Sequence, residues 1–337
     1  MEKVSVIIPC YNESETLGEF YKRISSLAEG LSGYQFEFIF INDGSQDGTW
    51  EILNNLAGGD NRVKVLHFAH NRGHQMAITA GMDFARGNII VTIDADLQDP
   101  PAFIKDMLAK IKEGYDVVHA QRSARAGETR FKLYTARFFY SFIRKFSEIP
   151  LIENSGDFRA FTRPVLKAAG SFREPHRFLR GNFVLFGFKQ CTITYERDSR
   201  FAGKTKYPLK KMTKFAMDAI LSFSSVPLQF VLLLAFIMWS FTLIYLGKAV
   251  FLQIFFDANT PGWTSLIVLM SFYTALILFS LAIIGSYVGR IFEQGQKRPL
   301  YWLSDIRNID IDEIVSNSVN EPVELSISSN ILKAKKK

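Results

Sequence analysis

Two long stretches without a charged side chain constrain this chain more than anything else in it. The first runs from Ala219 to Gly247 and the second from Ala258 to Gly289. A helix that crosses a bilayer needs about 20 mostly apolar residues, so each stretch is long enough. Buried helices of a soluble protein are apolar too. Uncharged runs this long, rich in Leu, Ile and Phe, point instead to two membrane spans, at about 226–250 and 263–289. Mean hydropathy over the whole chain is only +0.06, because residues 1–218 mix charged and apolar side chains as a globular domain does.

The basic residues orient those spans. "RDSRFAGKTKYPLKKMTK" before the first holds seven Lys and Arg against one Asp, "DANTPG" between the spans holds none, and Arg290, Lys297 and Arg298 follow the second. Both flanks are therefore expected in the cytoplasm, with the connector outside. Lys248 is expected to snorkel at the outer end of the first span. The start, "MEKVSVIIPC", reads as a strand and not as a cleavable leader. Cys10 and Cys191 are too few for a disulfide framework and fit a reducing cytosol. The net charge of +7 gathers beside the spans, which suits anionic lipid or phosphate better than nucleic acid.

Upstream of the spans, strand and helix patterns alternate. "KVSVIIP", "FEFIFIND", "VKVLHF" and "NIIVTID" read as strands. "SETLGEFYKRISSLAEG", with Ser14 as the expected cap, "GTWEILNNLAG" and "GHQMAITAGMDFARG" read as helices. Such alternation implies an α/β domain with a mostly parallel, Rossmann-like sheet covered on both faces. Ligands of such sheets sit at the carboxyl ends of the strands. Here those ends carry Pro9-Cys10-Tyr11-Asn12-Glu13, Asn42-Asp43-Gly44-Ser45 and Asp94-Ala95-Asp96. No G-x-G-x-x-G turn follows the first strand and no G-x-x-x-x-G-K-[ST] loop is present, so a dinucleotide fold or a P-loop is not expected.

The fourth strand runs into Asp94, Asp96 and Asp99, with Gln98 among them. Like charges crowded at a strand end need something to hold them. Carboxylates two residues apart, with an amide two further on, are hard oxygen donors of the kind Mg²⁺ or Mn²⁺ takes and shares with substrate phosphates. "DLQDPP" is also good turn chemistry, and D-x-D alone recurs by chance; beside Asp43 and Tyr11 it becomes a candidate metal site.

"VSVIIPCYNE", "INDGSQDGT", "NRGHQMAITAGMDFARG" and "IDADLQDPP" resemble the nucleotide-sugar domain of glycosyltransferase family 2, whose fold is called GT-A. "SGDFRAF" and "RFAGKTKYPLKK", followed by two spans, narrow the resemblance to the polyisoprenyl-phosphate glycosyltransferases, the group of the bactoprenol glucosyltransferases and dolichol-phosphate mannose synthases. The likeness covers about residues 1–298. It implies that Pro9, Tyr11 and Glu13 line a uridine pocket, with Asp43 accepting a hydrogen bond from uracil. It implies Asp94, with Ala95 beside it, near the ribose and the metal, and Asp96 and Gln98 on the metal itself. Asp157 of "SGDFRAF" would sit near the sugar or the metal. An acceptor phosphate monoester has a second pKa of about 6 and hardly needs a base, so a positioning role is expected for Asp157. Positive charge for two phosphate partners is expected from Arg122, Arg200, Lys204 and Lys206, with Arg200 facing the reacting phosphates.

Phe131, Tyr134, Phe138, Phe142 and Phe146 recur at three- and four-residue intervals among Arg137, Arg144 and Lys145. That pattern reads as an amphipathic helix, 130–147, lying in the membrane interface. The organisation expected is a cytosolic domain over 1–207, a juxtamembrane amphipathic helix over 208–225, two spans within 226–289, and a cytosolic tail over 290–337. The resemblance implies an integral protein of the inner membrane that moves a sugar, glucose favoured, from a UDP-sugar to a polyisoprenyl (undecaprenyl) phosphate, with inversion. It also implies a homotetramer. Two alternatives are weighed: a processive polysaccharide synthase, which needs more spans and a Q-x-x-R-W motif where this chain has "HRFLRGNF", and a non-catalytic nucleotide-binding scaffold.

Overall fold

The strands read from the sequence are built from β-branched and aromatic residues, and they form the parallel centre of one sheet. In a computed structural model of the protein, the described residues are 1–123, 152, 155–175, 177–196, 226–256 and 262–310. The interfacial helix expected over 130–147, the juxtamembrane helix over 208–225, and Arg200, Lys204 and Lys206 lie outside them. Strands β1 (Glu2–Cys10), β2 (Tyr34–Asn42), β3 (Val63–Phe68) and β4 (Ile89–Thr92) pair in parallel, β1 with β2 and β4, and β2 with β3. Val4 to Cys10 are buried without a break, as a strand covered on both faces requires.

Side chains alternate between the two faces. Val4, Val6, Ile8 and Cys10 join Phe36, Phe38 and Phe40 in one core layer, while Ile7, Ile39 and Ile41 point into the other. Helix α1 (Leu17–Gly30) covers the first layer through Leu17, Phe20, Ile24 and Ala28, spaced three and four residues apart as an amphipathic helix demands. Helices α2 (Thr49–Gly59) and α4 (Ile104–Lys112) cover the same face. Helix α3 (His74–Phe84) closes the second layer with α5 (Arg163–Ser171) and α6 (Leu179–Leu185). Thr16 occupies the N-cap position of α1; Ser14, the expected cap, instead donates its main-chain N–H to Asp47 Oδ2 at 3.2 Å.

Four more strands make the sheet mixed: β5 (Val117–Arg122), β6 (Ser155–Thr162), β7 (Gln190–Tyr195) and β8 (Leu303–Arg307), in the order β7-β5-β6-β4-β1-β2-β3-β8. β6 runs antiparallel between β4 and β5, β7 runs parallel to β5, and β8 runs antiparallel to β3. The chain crosses from β1 outward to β3 and then returns to β4 on the other side of β1. That reversal opens a crevice at the carboxyl ends of β1 and β4, the switch point where such sheets bind ligands. Residues 290–337, set apart as a tail from the sequence, are corrected here in part: Leu300, Tyr301 and Leu303 are buried in the second core layer and β8 completes the sheet edge.

The second unit consists of helix α7 (Val226–Phe256) and helix α8 (Trp263–Gly295). Val226–Lys248 and Leu266–Gly295 are each long and apolar enough to cross a membrane. Thr242 Oγ1 and Tyr273 Oη meet at 2.7 Å between the two helices.

Candidate active site

The loops after β1 and β2 are stitched to each other. Asp43 donates its main-chain N–H to the Cys10 carbonyl at 2.9 Å, Asn12 N–H donates to Ser45 Oγ at 3.0 Å, and Gln46 N–H donates to Asn12 Oδ1 at 2.9 Å. Glu13 N–H donates to Thr49 Oγ1 at 2.9 Å. Asn12 turns the chain with φ +53°, a left-handed conformation that Asn adopts more readily than most residues. Pro9 is buried in β1, Tyr11 is exposed and Glu13 is half-buried. Asp43 is buried, and its carboxylate accepts from the main-chain N–H of Arg72 at 2.7 Å and of Gly73 at 2.9 Å, and from Asn71 Nδ2 at 3.0 Å. Burial pushes its carboxyl up, against the pull of those amides. Gly44 (φ +64°) is required here because a Cβ would come within 2.5 Å of Asn71 N.

What holds the acids after β4 is a set of partners from other elements. Asp99 is buried and accepts from Arg122 Nη2 at 3.2 Å and from the Tyr195 hydroxyl. Arg122 also donates from Nε to Tyr195 Oη at 3.1 Å. The guanidinium expected to meet substrate phosphate thus braces the acidic loop against β5 and β7. Asp96 Oδ1 accepts the Gln98 N–H at 3.1 Å across Leu97, which holds φ +58°. A Leu in that region is strained, and such strain collects at functional sites. Ala95 and Gln98 are buried. Asp94 lies 3.5 Å from His74 Nε2. Burial pushes its carboxyl up to about 6; His74 opposes this, and Asp99, Asp157 and Asp96 add to it.

Asp157, on β6 next to β4, is the hub of the cluster. His74 Nε2 at 3.1 Å, Gln75 Nε2 at 3.2 Å, and Arg180 Nε and Nη2 at 3.1 and 3.0 Å all reach its carboxylate. Arg159 Nη2 stands 3.5 Å away. Thr92 Oγ1 donates to the Asp157 carbonyl and ties β6 to the end of β4. Burial alone would raise the Asp157 carboxyl, but Arg180 and His74 hold it well below the usual carboxylate range. For His74, burial opposes the charge, yet Asp94 and Asp157 raise it to about 9. A carboxylate so tightly paired is a poor proton acceptor, so the arrangement favours a positioning role for Asp157 over general-base chemistry.

His74, Gln75, Arg180 and Tyr195 were not singled out from the sequence. His74 and Gln75 open α3, and helix starts beside strand ends are where ligand-facing groups gather. Arg180 lies in "HRFLRGNF", a stretch that served in sequence only to exclude another motif.

The profile of Glycosyl transferase family 2 matches residues 5–170, from β1 through the hub strand. An uncharacterized glycosyltransferase of Bacillus subtilis (strain 168), YkcC, is 43% identical over 297 residues, covering 88% of this chain and 92% of that protein. The chain belongs to glycosyltransferase family 2. It is therefore an enzyme that transfers a glycosyl group, and its strand-end crevice is the candidate active site of a family 2 glycosyltransferase. A second family 2 relative, the prophage bactoprenol glucosyl transferase homolog of Escherichia coli (strain K12), is 35% identical over 305 residues, covering 90% of this chain and 99% of that one. Among solved structures, glucosyl-3-phosphoglycerate synthase from Mycobacterium tuberculosis aligns over 65% of this chain and 78% of its own, at 22% identity and a TM-score of 0.46. That likeness is too distant to bear on the site.

Proposed function

We propose that this glycosyltransferase moves a sugar, glucose favoured, from a UDP-sugar onto a polyisoprenyl phosphate such as undecaprenyl phosphate. The observation that carries this reading is the cluster at the β1–β4 crevice, where Asp94 lies 3.5 Å from His74, one of the cationic groups gathered on Asp157, and Asp96 and Gln98 follow on the same loop. The acceptor class is supported by relatives whose names describe bactoprenol glucosyl transfer and by two membrane-length helices in the same chain.

The donor set fits a divalent cation. Asp94 and Asp96 are hard carboxylates two residues apart, with the Gln98 amide two further on; burial is the main cause that raises the Asp94 carboxyl, and Asp99, Asp157 and Asp96 add to it against His74. Among the described residues, no group of three or more His, Cys, Asp and Glu is gathered to hold a metal. Two carboxylates and an amide would leave the remaining positions to phosphate oxygens and water. When bound there, Mg²⁺ or Mn²⁺ supplies charge stabilisation for the departing diphosphate.

In the reaction proposed, an oxygen of the lipid phosphate forms a bond to the anomeric carbon as the bond from that carbon to UDP breaks, with inversion. The phosphate is already largely dianionic near neutral pH, so no side chain need remove a proton. Asp157 orients Arg180 and His74, whose positive charges face the crevice where negative charge builds up. Pro9, Tyr11, Glu13 and Asp43 receive the uridine. Arg200, Lys204 and Lys206, on the segment before the first apolar helix, are proposed for the acceptor phosphate, on the cytoplasmic side of an inner membrane that the two helices span. The assembly proposed is a homotetramer, which light scattering in detergent tests.

The decisive experiment follows radiolabel from a panel of nucleotide sugars into butanol-extractable lipid, with and without chelator. Metal-dependent appearance of a single labelled sugar on lipid is the expected result. Label in a long polymer would favour the processive alternative, and none in any product the scaffold.

A further inference from the structure

The loop between β3 and α3 is held from two sides by residues far apart in sequence. On one side is Asp43, whose carboxylate takes the main-chain N–H groups of Arg72 and Gly73 and the Asn71 amide. On the other side is the segment that follows helix α8. Arg72 Nε donates to the Leu300 carbonyl at 3.0 Å, and its guanidinium lies over the Trp302 ring at 5.2 Å. Ala69 N–H donates to the Trp302 carbonyl at 3.0 Å. Between these contacts Tyr301 is buried, stacked on Phe68 with ring centres 5.3 Å apart, and its hydroxyl donates to Asp83 Oδ2 at 2.7 Å. Gly44 packs against the backbone of His70 and Asn71 with no room for a side chain.

Three donors thus aim the Asp43 carboxylate, and all three sit on a loop whose far side is fixed by residues 300–302. Arg72 links the two sides: its backbone serves the Asp43 carboxylate and its side chain serves the strap. We propose that residues 300–302 are a working part of the nucleotide pocket, with Arg72 as the positioning residue that couples their docking to Asp43. This rests on the reading of Asp43 as the acceptor for the base of a UDP-sugar.

The coupling has a specific signature. With the strap loosened, the loop samples orientations in which Asp43 is misdirected, and apparent affinity falls by the fraction of competent conformers. Turnover at saturating donor should hold, because Asp94, Asp96 and Asp157 are carried by β4 and β6 on the other side of β1. Affinity for the lipid acceptor should hold for the same reason.

The test uses the full chain in detergent. Calorimetry measures the Kd for UDP, and steady-state assays measure kcat and the KM for undecaprenyl phosphate with the accepted UDP-sugar. Arg72→Ala should weaken UDP binding on the order of tenfold, the loss of about one hydrogen bond to a charged group. Trp302→Ala should weaken it less but in the same direction. Arg72→Lys should recover most of the loss, since an ammonium can still reach the Leu300 carbonyl and the ring. Ser304→Ala, on β8 where the hydroxyl donates to the His67 carbonyl, should bind UDP as the unaltered protein does. If Arg72→Ala fails to fold, Trp302→Ala decides. Unchanged UDP affinity in the altered proteins would overturn the inference while leaving the proposed function standing. So would a rise in KM for the lipid that matches the loss of UDP affinity. Failure of the unaltered protein to bind UDP at all would overturn both.

Discussion

Asp157 shows how a side chain can be singled out in a sequence while its partners are not. Its carboxylate, expected near the sugar or the metal, is held by His74, Gln75 and Arg180. Those partners stand 83, 82 and 23 residues away in the chain, and no local pattern announces them. Asp157→Asn should therefore cost more than a missing base would, because the buried Arg159 and the part-exposed Arg180 and His74 lose their counter-charge. Breaking one side of a buried ion pair typically costs about 3–5 kcal/mol, so both thermal stability and turnover should fall, and a Tm measured beside kcat checks it. Asp96→Asn is expected to act differently. It keeps shape and the turn through Leu97 but removes a charge from the proposed metal site, so transfer should drop roughly a hundredfold or more with Tm nearly unchanged. Full metal-dependent turnover in that variant would remove Asp96 from the site. Asp99 illustrates the opposite lesson. In sequence it belongs to the same acidic cluster, but Arg122 and Tyr195 claim it, and only the pairing of β5 with β7 brings those two groups together.

At the scale of elements, the parallel strands were legible because burial on both faces leaves near-continuous apolar runs, a local signal. β5 to β8 carry weaker signals: β7 is only partly buried along its length, and β8 is five residues long, with Leu303 its only buried side chain. β6 was legible as a motif but not as a strand, since its place between β4 and β5 depends on long-range antiparallel pairing. One buried carboxylate shows what the parallel centre tolerates. Glu37 on β2 is buried and bonded by Ser5, by Lys64 at 2.8 Å and by the Arg86 N–H at 2.7 Å, with Lys3 at 3.0 Å. Burial alone would raise its carboxyl, but Lys64 and Ser5 lead the interactions that hold it down, from 4.5 to about 2. A group depressed in the folded state adds stability that is present above its unfolded pKa and is lost as pH falls toward the folded value. Between about pH 5 and pH 3 this group alone should remove roughly 2 kcal/mol. Glu37→Gln should flatten that part of the stability–pH curve, which urea unfolding at a series of pH values would reveal; an unchanged slope would mean that Glu37 has no such depressed carboxyl.

Across the whole molecule, the order of the chain and the order of the sheet disagree, and that disagreement has a consequence. The sequence suggests a domain that ends before the first apolar helix, because every motif for nucleotide and metal lies upstream of it. Yet the sheet is completed by β8, which follows the second apolar helix. Leu300, Tyr301 and Leu303 are buried together in the core layer that also holds Leu66 and Phe68. Burying such side chains is worth about 1.5–3 kcal/mol each, a large share of the stability of an ordinary domain. Removing them would also leave β3 as an open edge, with unpaired backbone groups that invite aggregation. A chain ended at Arg298 should therefore be less stable than one ended at Asp310, which keeps β8 and the contacts described for residues 300–304. The shorter chain should melt well below the longer one, or aggregate on extraction, and should bind UDP poorly even though Asp43, Asp94 and Asp96 are intact. Equal melting temperatures and equal UDP affinity would mean that the sheet does without its last strand, and that the catalytic unit does end where the sequence motifs do.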